Sequence, residues 1–185
     1  IYLRSDDSIV RHCAGLMRPL RRSRGYVPVP VSLKEDMPQV LACGAELKNT
    51  VCLTRGSQAF VSQHIGDLEN LATYDFFRAT IEHLERILDI SPRIIACDLH
   101  PDYLSTRYAR DRGDLPLIQV QHHHAHLASC LAENRQQGPT IGLIMDGTGY
   151  GADVTTDFDE EAPTLARAAE HQAEAAELLH QLAEE

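Results

Sequence analysis

The stretch Leu117-Ile-Gln-Val-Gln-His-His-His-Ala-His-Leu-Ala-Ser129 joins a strand-like run directly to a helix-like run. The apolar run Leu117–Val120 predicts a short strand, and the residues from His122 to Asn134 predict a helix. Gly138-Pro139 interrupts the helical pattern. A strand that leads at once into a helix is the repeating unit of α/β proteins, so this stretch predicts the class of the fold.

The same stretch contains four of the chain's ten histidines, all between His122 and His126. Residues four positions apart lie on one face of a helix, so His122 and His126 can direct two imidazole nitrogens at one point. This is a spacing that metal ligands use. His123 and His124 point elsewhere on the helix. A polar helix start with solvated histidines has the same pattern, so the spacing alone leaves both interpretations open.

The rest of the chain supplies further strands and helices. The clearest helix is amphipathic, with Phe77, Ile81, Leu84 and Leu88 at steps of four, three and four, and Pro92 is expected to end it. A glycine-containing turn between two short strands predicts a hairpin. The order predicts a ribonuclease H-like (actin/hexokinase-type) first lobe with a mixed sheet. Strands are predicted at Pro38–Cys43, Val51–Thr54, Ala59–Ser62, Arg93–Asp98, Leu117–Val120 and Thr140–Met145, and helices at Leu68–Leu88, Tyr103–Arg110 and His122–Asn134.

Two of the predicted strands end in turns of small residues, at Gly44–Thr50 and at Asp146–Gly151. Backbone amides in such turns can bind phosphate oxygens. Each turn alone is weak evidence, because glycine after a strand usually marks an ordinary turn. Two such turns at equivalent places in a duplicated fold are stronger evidence for phosphate binding than either turn alone.

Charge and cysteine content limit the classes of function. The net charge is −10, but residues 1–152 hold 16 basic and 17 acidic side chains, whereas residues 153–185 hold one basic and ten acidic ones. A body that is nearly neutral lacks the basic field that nucleic-acid binding requires. No apolar run is long enough to span a membrane, and five scattered cysteines suggest reduced thiols, so we expect a cytoplasmic protein. The absence of an initiator Met and of a signal peptide suggests an internal piece of a longer chain.

Six segments along residues 1–152 resemble, in order, motifs of the HypF family, the carbamoyltransferases of nickel-iron hydrogenase maturation. The segments are Pro19–Tyr26, Glu46–Thr50, Ser62–Asn70, Asp98–Tyr108, Val120–His126 and Asp146–Gly151. By this resemblance, residues 1–33 are the end of a YrdC-like domain and a linker, and residues 34–138 are the first ribonuclease H-like lobe of the carbamoyltransferase domain. Residues 139–152 would be the first strand and phosphate loop of a truncated second lobe.

The resemblance also implies a reaction and a set of site residues. HypF proteins use carbamoyl phosphate and ATP to carbamoylate the C-terminal cysteine of the partner protein HypE, and the carbamoyl group becomes the cyanide ligand of hydrogenase. The residues similar to the family's metal site, for Zn, Fe or Mg, are His122, His126 and Asp146. Those similar to its nucleotide- and carbamoyl-binding residues are Lys48, Asn49, Gly147, Thr148 and Gly149.

Some of these residues have simpler interpretations. Asp146 could form an Asx-turn at a strand end, and Lys48 could be a solvated turn residue. Arg21, Arg22 and Arg24 could have faced an adenylate phosphate in the upstream domain, or could form a solvated basic linker. Three further residues lie in matching motifs, and the sequence assigns no role to them: His64, Asp98 and His100.

Residues 153–185 depart from the family. The chain contains no Trp where the family has a Trp-Gly-Gly-Glu-like segment, and it continues instead into an acidic stretch rich in Ala, Glu and Leu. We expect an acidic helical tail, which is either a docking helix or solvated. Without a second lobe, Thr140–Met145 should expose its apolar residues. Three hypotheses follow: an enzyme fragment, a truncated non-catalytic module that docks a partner or binds metal, and a metal-dependent hydrolase, for which no nucleophile set is found.

Overall fold

The computed structural model describes residues 3–146 and Tyr150. Two predictions, the phosphate loop at Gly147, Thr148 and Gly149 and the acidic helical tail of residues 153–185, lie outside the described residues. The strands are β1 (Ile9–Cys13), β2 (Leu16–Arg21), β3 (Val31–Met37), β4 (Val40–Cys43), β5 (Val51–Val61), β6 (Ile94–Asp98) and β7 (Leu117–Val120). The helices are α1 (Leu71–Leu88), α2 (Leu104–Arg112) and α3 (His122–Glu133).

The main sheet is mixed, as the sequence predicts. Its strand order is β3-β5-β4-β6-β7, in which β5 is antiparallel to both of its neighbours and β4, β6 and β7 are parallel to one another. The chain passes from β4 to the parallel strand β6 through β5 and α1, and from β6 to the parallel strand β7 through α2. Such crossover connections place the helices on a face of the sheet. Strands β1 and β2 form a separate antiparallel ribbon.

Strand β5 folds back on itself, so the predicted hairpin is confirmed. An extended strand of 11 residues would separate its ends by roughly 33 Å. Instead, the amide of Ser62 donates to the carbonyl of Val51 at 2.8 Å, and the amide of Val51 donates to Ser62 Oγ at 3.0 Å. Gly56, near the middle of β5, has a φ of +54°, a left-handed conformation that favours glycine in a tight turn.

The prediction of a buried strand at Thr140–Met145 is wrong. These residues form no strand, and the side chains of Ile141, Leu143 and Met145 are 97%, 81% and 85% exposed. A strand needs a neighbour that satisfies its backbone groups, and no strand of the described residues lies beside this segment. The expected exposure of its apolar residues is confirmed.

Several boundaries differ from the sequence predictions. Helix α1 starts at Leu71 instead of Leu68. It ends at Leu88 as predicted, but Asp89 rather than Pro92 stops it, because Asp89 adopts the left-handed conformation and its amide bonds back to the carbonyl of Glu85. It begins after Asn70, whose side chain caps the amide of Thr73 at 2.9 Å. Strand β3 begins at Val31, three residues before the expected start of the lobe at residue 34.

One face of the sheet forms the hydrophobic core with α1 and α2. Phe77 of α1 is fully buried, and its ring meets that of Tyr108 of α2 edge-on, with 5.1 Å between centroids. The predicted apolar stripe of α1 lies here, with Phe77, Ile81 and Leu84 buried and Leu88 partly buried. Among the described helices, none combines the length and the apolar composition that a bilayer crossing requires.

The opposite face of the sheet is far less covered. Helix α3 has no buried residue. Between it and the sheet lies a groove of about 480 Å³, whose walls include the small side chains Ala42, Cys52, Ala96, Ala125 and Ala128. His122 and His126, in the first turns of α3, also line the groove.

Replacing Phe77 with Ala tests the core. Because the side chain is fully buried, Phe77→Ala should lower the free energy of unfolding by about 3–5 kcal/mol, measured by urea denaturation. Phe76→Ala is the matched control, because Phe76 is only partly buried and its ring lies under the Arg4 guanidinium at 4.1 Å. It should cost about 1–2 kcal/mol. Equal losses in the two variants would contradict this placement of the core.

Candidate metal centre

The candidate site lies at the carboxyl ends of two parallel strands. Strand β6 ends at Asp98, which is paired in register with Val120, the last residue of β7. Helix α3 then begins at His122 after a single connecting residue. In open α/β sheets, ligands usually bind in the crevice at the carboxyl ends of the strands. The histidines at the start of α3 therefore lie where a ligand is expected.

Three side chains converge at this point: His122, His126 and Asp146. His122 Nε2 lies 3.0 Å from Asp146 Oδ2, and His126 Nε2 lies 3.2 Å from the same oxygen. The two histidine Nε2 atoms are 3.2 Å apart. The structure therefore brings together the three residues that the resemblance implied as metal ligands.

The donor set fits a divalent metal ion. Bonds of about 2.0–2.1 Å in tetrahedral geometry separate neighbouring ligand atoms by roughly 3.3 Å, close to the spacing of these three atoms. The two Nε2 atoms and Asp146 Oδ2 can each direct a lone pair at the point between them. Three lone pairs directed at one point repel one another unless a proton or a cation lies between them. His126 and Asp146 are 53% and 37% exposed, which leaves the centre accessible.

Asp98 orients one of the two histidines. His122 Nδ1 donates to Asp98 Oδ2 at 2.6 Å, and this fixes the tautomer whose Nε2 lone pair faces Asp146. The carboxylate is itself held, because Oδ1 accepts from the amide of His100 at 2.9 Å and the side chain is only 6% exposed. The sequence left Asp98 without a role. Its place at the end of β6, beside the strand that leads into the histidines, was the signal that could have identified it.

Three aromatic rings pack together beside Asp98. His100 stacks flat on Tyr103, with 4.2 Å between the centroids and 4° between the planes, and lies 5.3 Å from the ring of Tyr150. Burial raises the pKa of the Tyr103 hydroxyl, and the carboxylates of Asp98, Glu46 and Asp146 raise it further. Tyr103 therefore keeps its proton near neutral pH and offers a hydrogen-bond donor beside the centre.

The thiols of the groove are not reactive nucleophiles. Burial raises the pKa of Cys52 to about 12 and also raises the pKa values of Cys43 and Cys97. A thiol reacts as the thiolate, so these three remain inert near neutral pH. Cys43 and Cys97 are buried, and the five cysteines are free thiols.

The turn Gly44–Thr50 forms another wall of the groove, and the structure separates the two residues predicted to bind nucleotide or carbamoyl. Asn49 is buried, and its Nδ2 donates to the carbonyls of Gly44 at 2.9 Å and Ala45 at 2.8 Å, so both donors serve the turn itself. Lys48 is exposed. A Cβ added at Gly44 would lie 2.5 Å from the carbonyl oxygen of Thr50, so the turn has room only for glycine.

The sheet, the groove and the His-His-Asp cluster define a mixed α/β domain with a candidate metal centre at the carboxyl ends of its parallel strands. The profile of the HypF Kae1-like domain family matches residues 35–133, which are more than half of the chain. The chain belongs to the HypF family.

Relatives and solved structures agree with this membership. The chain is 50% identical over 156 residues to carbamoyltransferase HypF of Rhizobium leguminosarum bv. viciae, and 49% identical over 159 residues to carbamoyltransferase HypF2 of Cupriavidus necator. These matches cover 84% and 83% of this chain but 20% of each relative, so the chain spans about a fifth of their length.

Two crystal structures resemble it. One is full-length HypF in the phosphate- and nucleotide-bound form, with a TM-score of 0.80 and 46% identity over 83% of this chain and 24% of that one. The other is T. kodakarensis HypF, with a TM-score of 0.75 and 39% identity over 81% of this chain and 20% of that one. The predicted family is thereby confirmed.

Removing the charge of Asp98 tests its orienting role. Asp98→Asn should weaken binding of Zn²⁺ about 10- to 100-fold, because His122 loses a charged partner that fixes its tautomer and raises its basicity. The measurement is calorimetric titration with Zn²⁺ in competition with a chelator of known affinity.

Asp102→Asn is the matched control for that titration. Asp102 lies in the loop that follows β6, but it is 75% exposed and its carboxylate pairs with Arg107 at 3.2 Å, whereas that of Asp98 pairs with His122. Its affinity for Zn²⁺ should stay within about twofold of the parent chain. An unchanged affinity in Asp98→Asn, or an equal loss in both variants, would disprove the role assigned to Asp98.

Proposed function

We propose that this chain is the first, ribonuclease H-like lobe of a HypF-type carbamoyltransferase domain and that it binds ATP through a divalent ion. The observation that carries the proposal is the convergence of His122, His126 and Asp146 within about one ligand spacing at the mouth of an open groove. The strand order, with an antiparallel hairpin beside three parallel strands, supports the lobe assignment.

The proposed reaction uses carbamoyl phosphate and ATP and ends with carbamoylation of the C-terminal cysteine of HypE, which supplies the cyanide ligand of hydrogenase. Its support is membership of a family whose relatives are named carbamoyltransferases, one of which is known in a phosphate- and nucleotide-bound form. These names favour the enzyme over a non-catalytic module or a metal-dependent hydrolase. Because the chain spans a fifth of its relatives, it would contribute one lobe of the whole enzyme.

The residues of the centre would have different roles. His122, His126 and Asp146 would bind the ion, whether Zn, Fe or Mg, and Asp98 would keep His122 in the binding tautomer. A divalent ion there would neutralise phosphate oxygens of the nucleotide. The groove lined by alanines and neutral thiols would exclude water from one side of the bound substrate.

The tight turn at Gly44 and the aromatic rings of Tyr103 and His100 complete the surroundings. Gly44 allows the backbone to pass close to the Thr50 carbonyl and so closes the turn, and the protonated Tyr103 hydroxyl could donate a hydrogen bond to a phosphate or carbamoyl oxygen. Lys48, Gly147, Thr148 and Gly149 remain predicted nucleotide contacts by resemblance.

The test is calorimetric titration of the 185-residue chain with ATP in the presence and absence of Mg²⁺ or Zn²⁺. Binding should depend on the metal and should fall at least about tenfold in the variant His122→Ala/His126→Ala, because both imidazole ligands are lost.

The matched control is His123→Ala/His124→Ala, which removes two imidazoles from the same turn of α3 that are not among the three converging groups. It should bind metal and ATP within about twofold of the parent chain. ATP binding without metal, or binding that survives the loss of His122 and His126, would disprove the proposal.

A further inference from the structure

The most exposed large apolar side chains of the described residues lie together in the segment 140–145. Three of them alternate along the chain, with exposed fractions of 97%, 81% and 85%. Apolar side chains scattered singly over a surface are ordinary, but a continuous exposed group of them marks an interaction surface. We name this group the apolar strip, and its members are Ile141, Leu143 and Met145.

The residues between those of the apolar strip face the protein. A Cβ added at Gly142 would lie 2.7 Å from both methyl carbons of Leu127 on α3, and Ile144 is partly buried. Alternation between a covered and an uncovered face has a period of two, which is typical of an extended chain. The segment therefore lies against α3 with one face and presents the apolar strip on the other.

The end of the segment is held as well. Asp146 directly follows Met145, and its carboxylate lies 3.2 Å from His126 Nε2. Contacts to Leu127 and to His126 thus fix the segment along α3. Because the backbone is already ordered there, a partner that covers the apolar strip would not have to order this part of the chain.

The apolar strip is symmetric about its central residue, Leu143. When two copies of the segment are placed antiparallel about a twofold axis at this position, Leu143 meets its own counterpart. Ile141 of each copy then meets Met145 of the other, so all apolar positions face apolar positions. The covered residues Gly142 and Ile144 also fall opposite each other. A surface that matches itself in this way is what a twofold, isologous contact requires.

The charges near the apolar strip permit this pairing. Asp146 is the one charged residue of the segment 136–146, and in the antiparallel register it falls opposite Thr140. No like charges therefore meet directly across the axis, where they would destabilise the pair. An uncharged apolar surface also has nothing with which to select a strongly charged partner, so a second copy of the same surface suits it.

We propose that the apolar strip is a self-association surface, through which two copies of this chain pair antiparallel about a twofold axis at Leu143. Burying one side chain of this size removes roughly 100 Å² of apolar surface from water, so three from each copy give about 600 Å². Stable interfaces bury about 1,200–2,000 Å². The dimer is therefore weak and reversible. It requires neither the metal centre nor the proposed carbamoyl transfer.

The test is sedimentation equilibrium of the 185-residue chain from about 5 to about 500 µM, a range that covers the affinity expected of a small contact. The average mass should rise with concentration and level off at twice the mass of one chain. EDTA is present throughout, because a metal ion shared between exposed histidines could also join two chains.

Leu143→Lys and Leu143→Glu test the position of the twofold axis. Each variant brings two like charges together at the axis, so each should lower the association constant at least about tenfold. An equimolar mixture of the two variants should recover association, because opposite charges then meet. The side chain is 81% exposed, so both variants should keep the circular dichroism spectrum and the midpoint of thermal unfolding of the parent chain.

Leu71→Lys is the matched control, because Leu71 is a 74% exposed leucine at the start of α1, outside the apolar strip. Its association constant should stay within about twofold of the parent. The proposal is overturned by a chain that remains monomeric at the highest concentration, by masses that rise past the dimer, by equal losses in Leu71→Lys and Leu143→Lys, or by a mixture of the two Leu143 variants that does not associate.

Discussion

The hydrogen bond between Asp98 and His122 is the contact on which the candidate centre depends. It exists because β6 and β7 are parallel neighbours in a register that places Asp98 opposite Val120, two residues before His122. A shift of one residue in that register would turn Asp98 to the other face of the sheet. The geometry of the centre is therefore a consequence of strand pairing, and the buried apolar residues of β6, fixed against α1 and α2, hold that pairing in place.

Much of the fold is local and could be predicted from the sequence. The stripe of Phe77, Ile81 and Leu84, the run Leu117–Val120 and the helix that begins at His122 each follow from a periodicity within a few residues. The hairpin of β5 follows from a glycine between two apolar runs. The strand predicted at Thr140–Met145 is absent for the opposite reason. An apolar run becomes a strand only where another strand lies beside it, and the local sequence does not show whether such a neighbour exists.

The site divides in the same way. The spacing of His122 and His126 is a property of one helix, so the sequence alone predicts it. The contact between Asp98 and His122 joins residues 24 positions apart and could be predicted only from the register of the sheet. Asn49 was expected to contact nucleotide or carbamoyl, but its two side-chain N–H groups satisfy the Gly44 and Ala45 carbonyls. A buried polar side chain serves first the backbone groups that water cannot reach, and sequence alone does not show which groups those are.

The turn Gly44–Thr50 limits how the groove can change shape. Asn49 Nδ2 donates to the carbonyls of Gly44 and Ala45, and a side chain at Gly44 would meet the carbonyl oxygen of Thr50. The turn is therefore fixed from within, and the part of the groove wall that it forms stays in place beside β4 and β6. A ligand that reaches the candidate centre would meet this wall already in its final position, so binding would not have to order that part of the chain.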